Sequence, residues 1–265
     1  MLTPIKISAT IITFNEEKKI EGCLKSLLGV ADEIIVIDSC SMDRTETICR
    51  QYPVKFISHQ FEGYVAQKNY AVLQASYDYI LSLDADERLS NELKDSILQL
   101  KNNWGNVHGY AVDRFNYYCG KWMYFSGWYP ERKIRLWDRR KAQWGGTDPH
   151  DFVHVPKNKT KTLKGNLIHY AYLTVDEHLQ QVYKFAEIAA RAKYKKGEKV
   201  SFIINVIFSP LFRFVKSFLF QLGFLDGYYG FLFCSISASL TFFKYVRLYE
   251  YKRKGLPEDQ KDFIE

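Results

Sequence analysis

The chain has 265 residues and a mass of 31.1 kDa, with 47% apolar and 25% charged residues. This ordinary globular balance supports a substantial core, which excludes disorder, a collagen-like chain and a fold that needs disulfides or metals to form. A formal net charge of +7 and a pI near 9.0 point to an anionic partner: nucleic acid, a phosphorylated substrate or acidic lipid. The five cysteines, Cys23, Cys40, Cys49, Cys119 and Cys234, are odd in number and widely spaced, with no Cys-x-x-Cys pair. They read as reduced thiols of a cytosolic protein. The apolar stretch at residues 5–14 lacks a small-residue cleavage site, so no signal peptide is expected.

In chain order, residues 5–13 are a β-branched run and predict a buried strand. Asn15 is placed to cap a following helix carrying Ile20, Leu24, Leu27 and Leu28. EIIVID at 33–38 predicts a second strand, and Asp43 with Glu46 resembles a capping box for a second helix. Strands at 54–57 and 79–83 flank a helix at 63–75, and Ser90 caps a helix running to residue 100. Such alternation implies right-handed crossovers and a mostly parallel sheet flanked by helices, with ligands beyond the carboxyl ends of the strands. That rule selects the turns at 13–17, 38–45 and 84–87.

Residues 104–172 differ, being rich in aromatics and arginine, with strand-like pieces at 109–115, 133–137 and 163–170 and a loop signal at 145–149. They read as an acceptor-side half. Thr174 and Glu177 form a capping box for a helix to 196, with an apolar stripe of Val175, Leu179, Val182, Ala186 and Ala189 and with Gly197 as its stop. Residues 200–251 are crowded with Phe, Leu, Ile and Tyr, and their longest uncharged stretch, 227–243, is at the short edge for a bilayer span. Arg213, Lys216, Lys244 and Arg247 punctuate these runs, and Lys252-Arg253-Lys254 closes them. The pattern suits helices lying in a membrane interface; a buried helical hairpin, a dimer interface and a true span are the alternatives. Three segments result: 1–103, the ligand-binding half of an α/β domain; 104–173, its acceptor-side half; and 174–265, helical and membrane-associating.

Asp84-Ala85-Asp86 follows an apolar strand, where two carboxylates on one turn can reach a hard cation and leave positions for phosphate. Asp38 ends the second strand, as either a base or ribose acceptor or an organiser of its own turn. Neither G-x-G-x-x-G nor G-x-x-x-x-G-K-S/T occurs, which disfavours dinucleotide oxidoreductases and P-loop enzymes.

Together IITFNEEKKIEGCLKSL, DEIIVIDSCSMDRT, GYVAQKNYA and YILSLDADE, in that order, resemble family 2 glycosyltransferases of the GT-A fold. GWYPERKIRLWDRRKAQWGG, DPHDFV, GNLIHYAYLTVDEHL and the tail GFLDGYYGF are similar to the lipopolysaccharide-core glucosyltransferase branch. The resemblance implies an α/β, Rossmann-like domain with a membrane-associating helical tail. It implies an inverting transfer from a nucleotide diphosphate sugar, with a divalent metal, Mg²⁺ or Mn²⁺, as cofactor. Thr13, Asn15, Glu16, Asp38, Lys68 and Asp84 would lie at the nucleotide; Arg132, Lys133 and Arg135 could assist the diphosphate or be solvated strand charge. Asp86 would be the main metal ligand, with Asp84 as a further one; His169, in an apolar strand-like run, is either a satisfied core histidine or a third ligand. The branch has His-Glu where this chain has His150-Asp151, so Asp151 is the expected general base, with Asp148 second.

The expected acceptor is an anionic, lipid-linked glycan met at the inner face of the cytoplasmic membrane, by a cytoplasmic enzyme peripherally bound there. A polyprenyl-phosphate-linked or capsular glycan is the alternative. A nucleotidyltransferase would carry a Gly-rich basic loop after the first strand, where this chain has Phe14-Asn15-Glu16-Glu17. A non-catalytic basic module would have no use for the loop carboxylates. Nucleic acid is not an expected partner, since the basic residues do not interleave with aromatics and no RNP-like motif occurs.

Overall fold

The computed structural model describes residues 4–147 and 150–257. Two compact units emerge, one of residues 1–115 and 130–170, the other of 116–129 and 171–265. In the first, β1 (Ile7–Thr13), α1 (Ile20–Leu27), β2 (Glu33–Asp38), α2 (Thr45–Cys49), β3 (Lys55–Ser58), α3 (Tyr64–Leu73) and β4 (Tyr79–Asp84) alternate. Then follow β5 (Glu87–Leu89), α4 (Asn91–Asn102), β6 (Gly109–Tyr118), β7 (Lys121–Trp122), β8 (Glu131–Asp138), β9 (Trp144–Thr147), β10 (His150–Val153) and β11 (Thr160–Tyr172).

Among the described residues these form a nine-stranded sheet in the order β3-β2-β1-β4-β8-β6-β11-β5, with β7 on β6. The first four strands are parallel. They are covered on both faces, which is why IIVID and ILSL read as continuous apolar runs. One face buries Ile7, Ala9, Ile11, Val36, Leu81 and Leu83 with α1 and α4; the other buries Ile35, Ile37 and Ile80 with α3. Beyond β4 the sheet continues through antiparallel pairs to β8 and β6.

Local expectations changed where a side chain found a better partner. Asn15 does not cap α1; its backbone is left-handed (φ 53°), and its Oδ1 accepts from the Met42 N–H at 2.8 Å. Asp43 caps no box with Glu46; it accepts from the Thr45 and Glu17 N–H groups, while Glu46 pairs with Arg50. Of the expected loop at 145–149, residues 145–147 belong to β9, which pairs with β10. By contrast Ser90 caps α4 as expected, accepting from the Leu93 N–H at 3.2 Å.

The second unit holds α5 (Val175–Lys195), α6 (Ser209–Val215) between π-helical turns at Phe202–Phe208 and Lys216–Phe220, and α7 (Gly227–Lys254). Thr174 Oγ1 accepts from the Glu177 N–H, and Gly197 takes φ 71° just past the helix end. The buried stripe of α5 is His178, Val182, Ala186 and Ala190; Leu179 is exposed, because the aromatic cluster beneath this helix takes His178 instead. The turn in GFLDGYYGF depends on close backbone approach: a Cβ on Gly230 would lie 1.9 Å from the Gly223 carbonyl oxygen, and Gly227 has φ +64°.

His178 stacks on Tyr172 at 4.3 Å between ring centroids, and its Nδ1 shares a hydrogen bond of 2.9 Å with the Tyr118 hydroxyl. Burial pushes its pKa down to about 4 from an ordinary 6.5. A depressed histidine contributes stability that is complete above the unfolded value and is lost as pH falls from 6.5 toward 4. Urea unfolding at pH 7.5 and 4.5 is therefore expected to show an acid loss that is about 2–3 kcal/mol smaller in His178→Gln than in the parent chain.

Candidate active site

Asp84 is the last residue of β4, Ala85-Asp86 make the turn, and Glu87 opens β5. β5 pairs antiparallel with β11, setting Glu87 opposite His169. That register carries His169 Nε2 to 3.2 Å from Asp86 Oδ2, across 83 residues of chain, and the Tyr170 N–H donates to the Asp86 carbonyl at 3.0 Å. Strand pairing thus sets Asp86 and His169 side by side. Among the described residues no third His, Cys, Asp or Glu joins these two as a metal-holding group.

Asp84 faces elsewhere. Its Oδ1 lies 2.9 Å from Lys68 Nζ and its Oδ2 2.8 Å from Arg135 Nη2. Lys68, buried on α3, also reaches Asp151 Oδ2 on β10 at 2.7 Å and lies 4.5 Å from the Trp144 ring centroid. One ammonium therefore joins the end of β4 to the hairpin that bears Asp151. Burial would raise the Asp84 carboxyl, but Lys68 and Arg135 outweigh it and hold it well below the usual carboxylate range. For Asp86, burial likewise acts upward and His169 brings the net value down.

Arg135 arrives by a bulge. In the β6–β8 ladder Tyr110 faces Leu136 while Ala111 faces Ile134, so Arg135 is the extra residue. A bulge re-aims a side chain, and here the guanidinium turns into the interior, where Glu87 Oε1 meets it at 2.6 Å. Glu87 is fully buried; it also pairs with Arg114 at 3.3 Å and accepts from the Asp84 N–H at 2.9 Å. Burial opposes the charge on Arg135, but Glu87 and Asp84 drive its pKa above the ordinary arginine value. Its Nε is buried without a hydrogen-bond partner. Arg132 lies on the exposed face instead, paired with Asp113 at 2.8 Å, and Lys133 pairs with Glu131.

The remaining expected residues line the ends of β1 and β2. Both Asp38 oxygens accept from Ser41, from its N–H at 2.8 Å and its hydroxyl at 2.5 Å, so this carboxylate organises its own turn. Ser41 Oγ in turn accepts from the Asn15 N–H, and Thr45 Oγ1 accepts from the Glu16 N–H. The two loops are thereby tied together. The Thr13 hydroxyl is buried without a hydrogen-bond partner. Asp148 lies outside the described residues.

Glu87, Arg114 and Trp144 were not among the expected residues. Glu87 had a signal, since it directly follows Asp84-Ala85-Asp86 at the start of a short strand. Arg114 and Trp144 had none, because their roles arise from pairing across the sheet and from the β9–β10 hairpin.

Removing one partner of a buried ion pair strands the others. Glu87→Ala is expected to lower unfolding free energy by about 3–5 kcal/mol in urea titration. Arg132→Ala, at an exposed pair, is expected to cost about 1 kcal/mol or less.

The family described as "Glycosyl transferase family 2" matches residues 8–156, more than half of the chain. A "Lipopolysaccharide core biosynthesis glycosyltransferase LpsC" of Rhizobium meliloti (strain 1021) is 28% identical over 261 residues, spanning 94% of both chains. An uncharacterized glycosyltransferase of Rickettsia bellii is 31% identical, over 92% of this chain and 86% of that one. A crystal structure of S. aureus TarS 1–349 in complex with UDP superposes with a TM-score of 0.44 at 16% identity, over 96% of this chain and 93% of that one. In a longer TarS structure this chain spans 46% of the length. The chain belongs to glycosyl transferase family 2 and has the GT-A fold, a parallel α/β sheet with an antiparallel extension.

Proposed function

We propose that this glycosyltransferase transfers a hexose, glucose first among candidates, with inversion at its anomeric carbon, from a uridine diphosphate sugar onto a lipopolysaccharide core or related cell-envelope glycan. The observation that carries the reading is the double ion pair of Lys68 with Asp84 and Asp151. It unites a strand-end acidic turn, where donors bind in such sheets, with a separate carboxylate suited to proton transfer. The cell-envelope acceptor is supported by the full-length similarity to LpsC, named for lipopolysaccharide core biosynthesis.

The Asp86–His169 pair fits a divalent cation: one carboxylate oxygen and one imidazole nitrogen, with remaining positions for diphosphate and water. Lys68, Arg135 and Arg114 offset Asp84, Asp151 and Glu87, whereas Asp86 faces an imidazole, so the Asp86 carboxylate is the charge a cation would meet here. When bound, the cation would supply neutralisation of the charge that develops on the departing diphosphate. Arg135, with its Nε still available, and Lys68 would contribute to the same task.

In the transfer step the acceptor hydroxyl oxygen bonds to the anomeric carbon as the bond to the diphosphate oxygen breaks. The hydroxyl proton passes to the Asp151 carboxylate. Lys68 holds that carboxylate until a donor diphosphate offers the ammonium a competing anion, which would leave Asp151 for the acceptor. Thr13, with its unpartnered hydroxyl, and the tied loops carrying Asn15, Glu16 and Asp38 would form the nucleoside end of the site.

Calorimetric titration with uridine diphosphate sugars tests the donor assignment. Binding is expected to need Mn²⁺ or Mg²⁺ and to be lost in Asp86→Ala. Asp151→Asn is expected to bind donor normally and to lower kcat by about 10²–10⁴. An Asp151→Asn enzyme with undiminished transfer would remove the base assignment, and absence of binding by every uridine donor would remove the donor assignment.

A further inference from the structure

Within the second unit, residues 116–129 form an aromatic loop: seven of these fourteen residues are Phe, Trp or Tyr. It opens as a tight hairpin, with Tyr117 opposite Trp122 and Tyr118 opposite Lys121. The two turn residues, Cys119 and Gly120, take φ 49° and 107°, the left-handed pair that a two-residue hairpin turn requires. Tyr118 and Trp128 face inward, the first fully buried and the second stacked on Phe233 at 4.0 Å. The other rings meet near the surface at steep angles. Tyr117 and Trp122 lie 5.0 Å apart at 65°, and Tyr124 and Tyr129 lie 6.3 Å apart at 75°. Tyr124 is 54% exposed.

This loop is fixed in shape. Asp226, just before α7, is buried, and its carboxylate accepts from the Tyr124 and Phe125 N–H groups at 3.3 and 2.9 Å. Lys121 Nζ donates to the Asp226 carbonyl at 2.7 Å. The buried Asn116 donates its carboxamide to the Trp128 carbonyl at 2.9 Å and accepts from the Met123 N–H at its own carbonyl at 3.0 Å. Ser126 donates its N–H to the Gln221 carbonyl at 2.9 Å and takes φ 63°, a conformation that a non-glycine residue keeps only when its surroundings impose it. Burying a carboxylate is costly, and here it bonds the backbone that carries the most exposed ring.

We propose that residues 116–129 are a platform for the sugar rings of the glycan acceptor, on which Trp122, Tyr124 and Tyr129 stack against the C–H faces of successive rings. Asp226 is the positioning residue that holds the platform in shape before the ligand arrives. Tyr and Trp combine an apolar face with a polar edge, which matches a sugar ring that has C–H faces and a hydroxyl rim. A platform already ordered loses little conformational freedom on binding. The ligand class rests on the glycosyl-transfer reading; the platform itself rests on the loop.

Two other occupants fit less well. Single-stranded nucleic acid also stacks on aromatic rings, but its binders add a cationic groove that follows the phosphates. Lys121 is the one charged residue of this segment, and it is engaged by the Asp226 carbonyl. A bilayer interface also takes Tyr and Trp, with aliphatic side chains entering the acyl region beside them. Met123 is the one aliphatic side chain of this segment, and it is fully buried.

The test is calorimetric titration of the full chain with lipid-free core oligosaccharide released from lipopolysaccharide by mild acid, beside glucose alone and uridine diphosphate glucose with Mn²⁺. The parent chain is expected to bind the oligosaccharide about tenfold or more tighter than glucose. Trp122→Ala and Tyr124→Ala should each weaken oligosaccharide binding by about tenfold, and Tyr124→Phe should restore most of it. Asp226→Asn should weaken it as well, and all these variants should keep the parent affinity for uridine diphosphate glucose, which a general loss of structure would not. Tyr183→Ala, at a ring 60% exposed on α5, should change neither. Matching circular dichroism and urea midpoints establish that the exposed-ring variants are folded. Oligosaccharide binding undiminished in Trp122→Ala/Tyr124→Ala would overturn the platform. So would donor binding by a parent chain that ignores the oligosaccharide, which would leave the glycosyl-transfer reading standing. Ring-dependent oligosaccharide binding without donor binding would keep the platform and remove that reading. Variants that lose binding to phosphatidylcholine vesicles but not to oligosaccharide would assign the rings to a bilayer and overturn the proposal.

Discussion

The Lys68 ammonium, shared between Asp84 and Asp151, is the interaction on which the site depends. It is buried beneath the Trp144 ring, where an unpaired cation would be costly, so its two carboxylates must converge on it. One comes from the carboxyl end of a central parallel strand, the other from a hairpin far along the chain. The buried charge adds to the Asn69–Trp144 hydrogen bond and to the packing of Trp144 and Val153 with Ile35, Ile37 and Ala71 in holding the hairpin against the sheet. Arg135 and Glu87 extend this constraint: the bulge in β8 delivers the guanidinium, and the fully buried Glu87 fixes it against Asp84. Alternating charges in low dielectric reinforce one another, and each is stable only because its neighbours are present.

Division of labour among the acidic residues follows from this arrangement. Asp84 and Asp86 stand two positions apart, yet the strand end turns one toward cations and the other toward His169. Asp84 pairs with Lys68 and Arg135, whereas Asp86 faces the His169 imidazole. Asp38 accepts from the N–H and the hydroxyl of its own Ser41. Equal residue types at equivalent strand ends thus serve three ends, because each carboxylate takes the nearest donor its backbone direction allows.

The second unit solves a different problem. Its interior is aromatic, with Tyr118, Trp128, Tyr172, His178 and Phe233 packed edge-to-face and stacked. Its exterior along Phe202–Phe220 exposes Ile204, Phe208, Phe212 and Phe220. Water does not favour such a surface.

The sequence by itself determined the alternating parallel strands and their helices, because β-branched runs covered on both faces and capped helical stripes are local signals. It determined the Asp84-Ala85-Asp86 turn, the capped helix after Thr174 and the apolar, cationic character of residues 200–251 for the same reason. Only the tertiary structure set Arg135 inside against Asp84 and Glu87 and Arg132 on the exposed face against Asp113, since that difference rests on one extra residue in a ladder. It alone enlisted Glu87, Arg114 and Trp144, and it alone turned Asn15 and Asp43 from helix caps into ties between loops. These outcomes depend on which backbone donor or buried charge lies across the fold, and a pattern of neighbours in sequence carries no record of that distance.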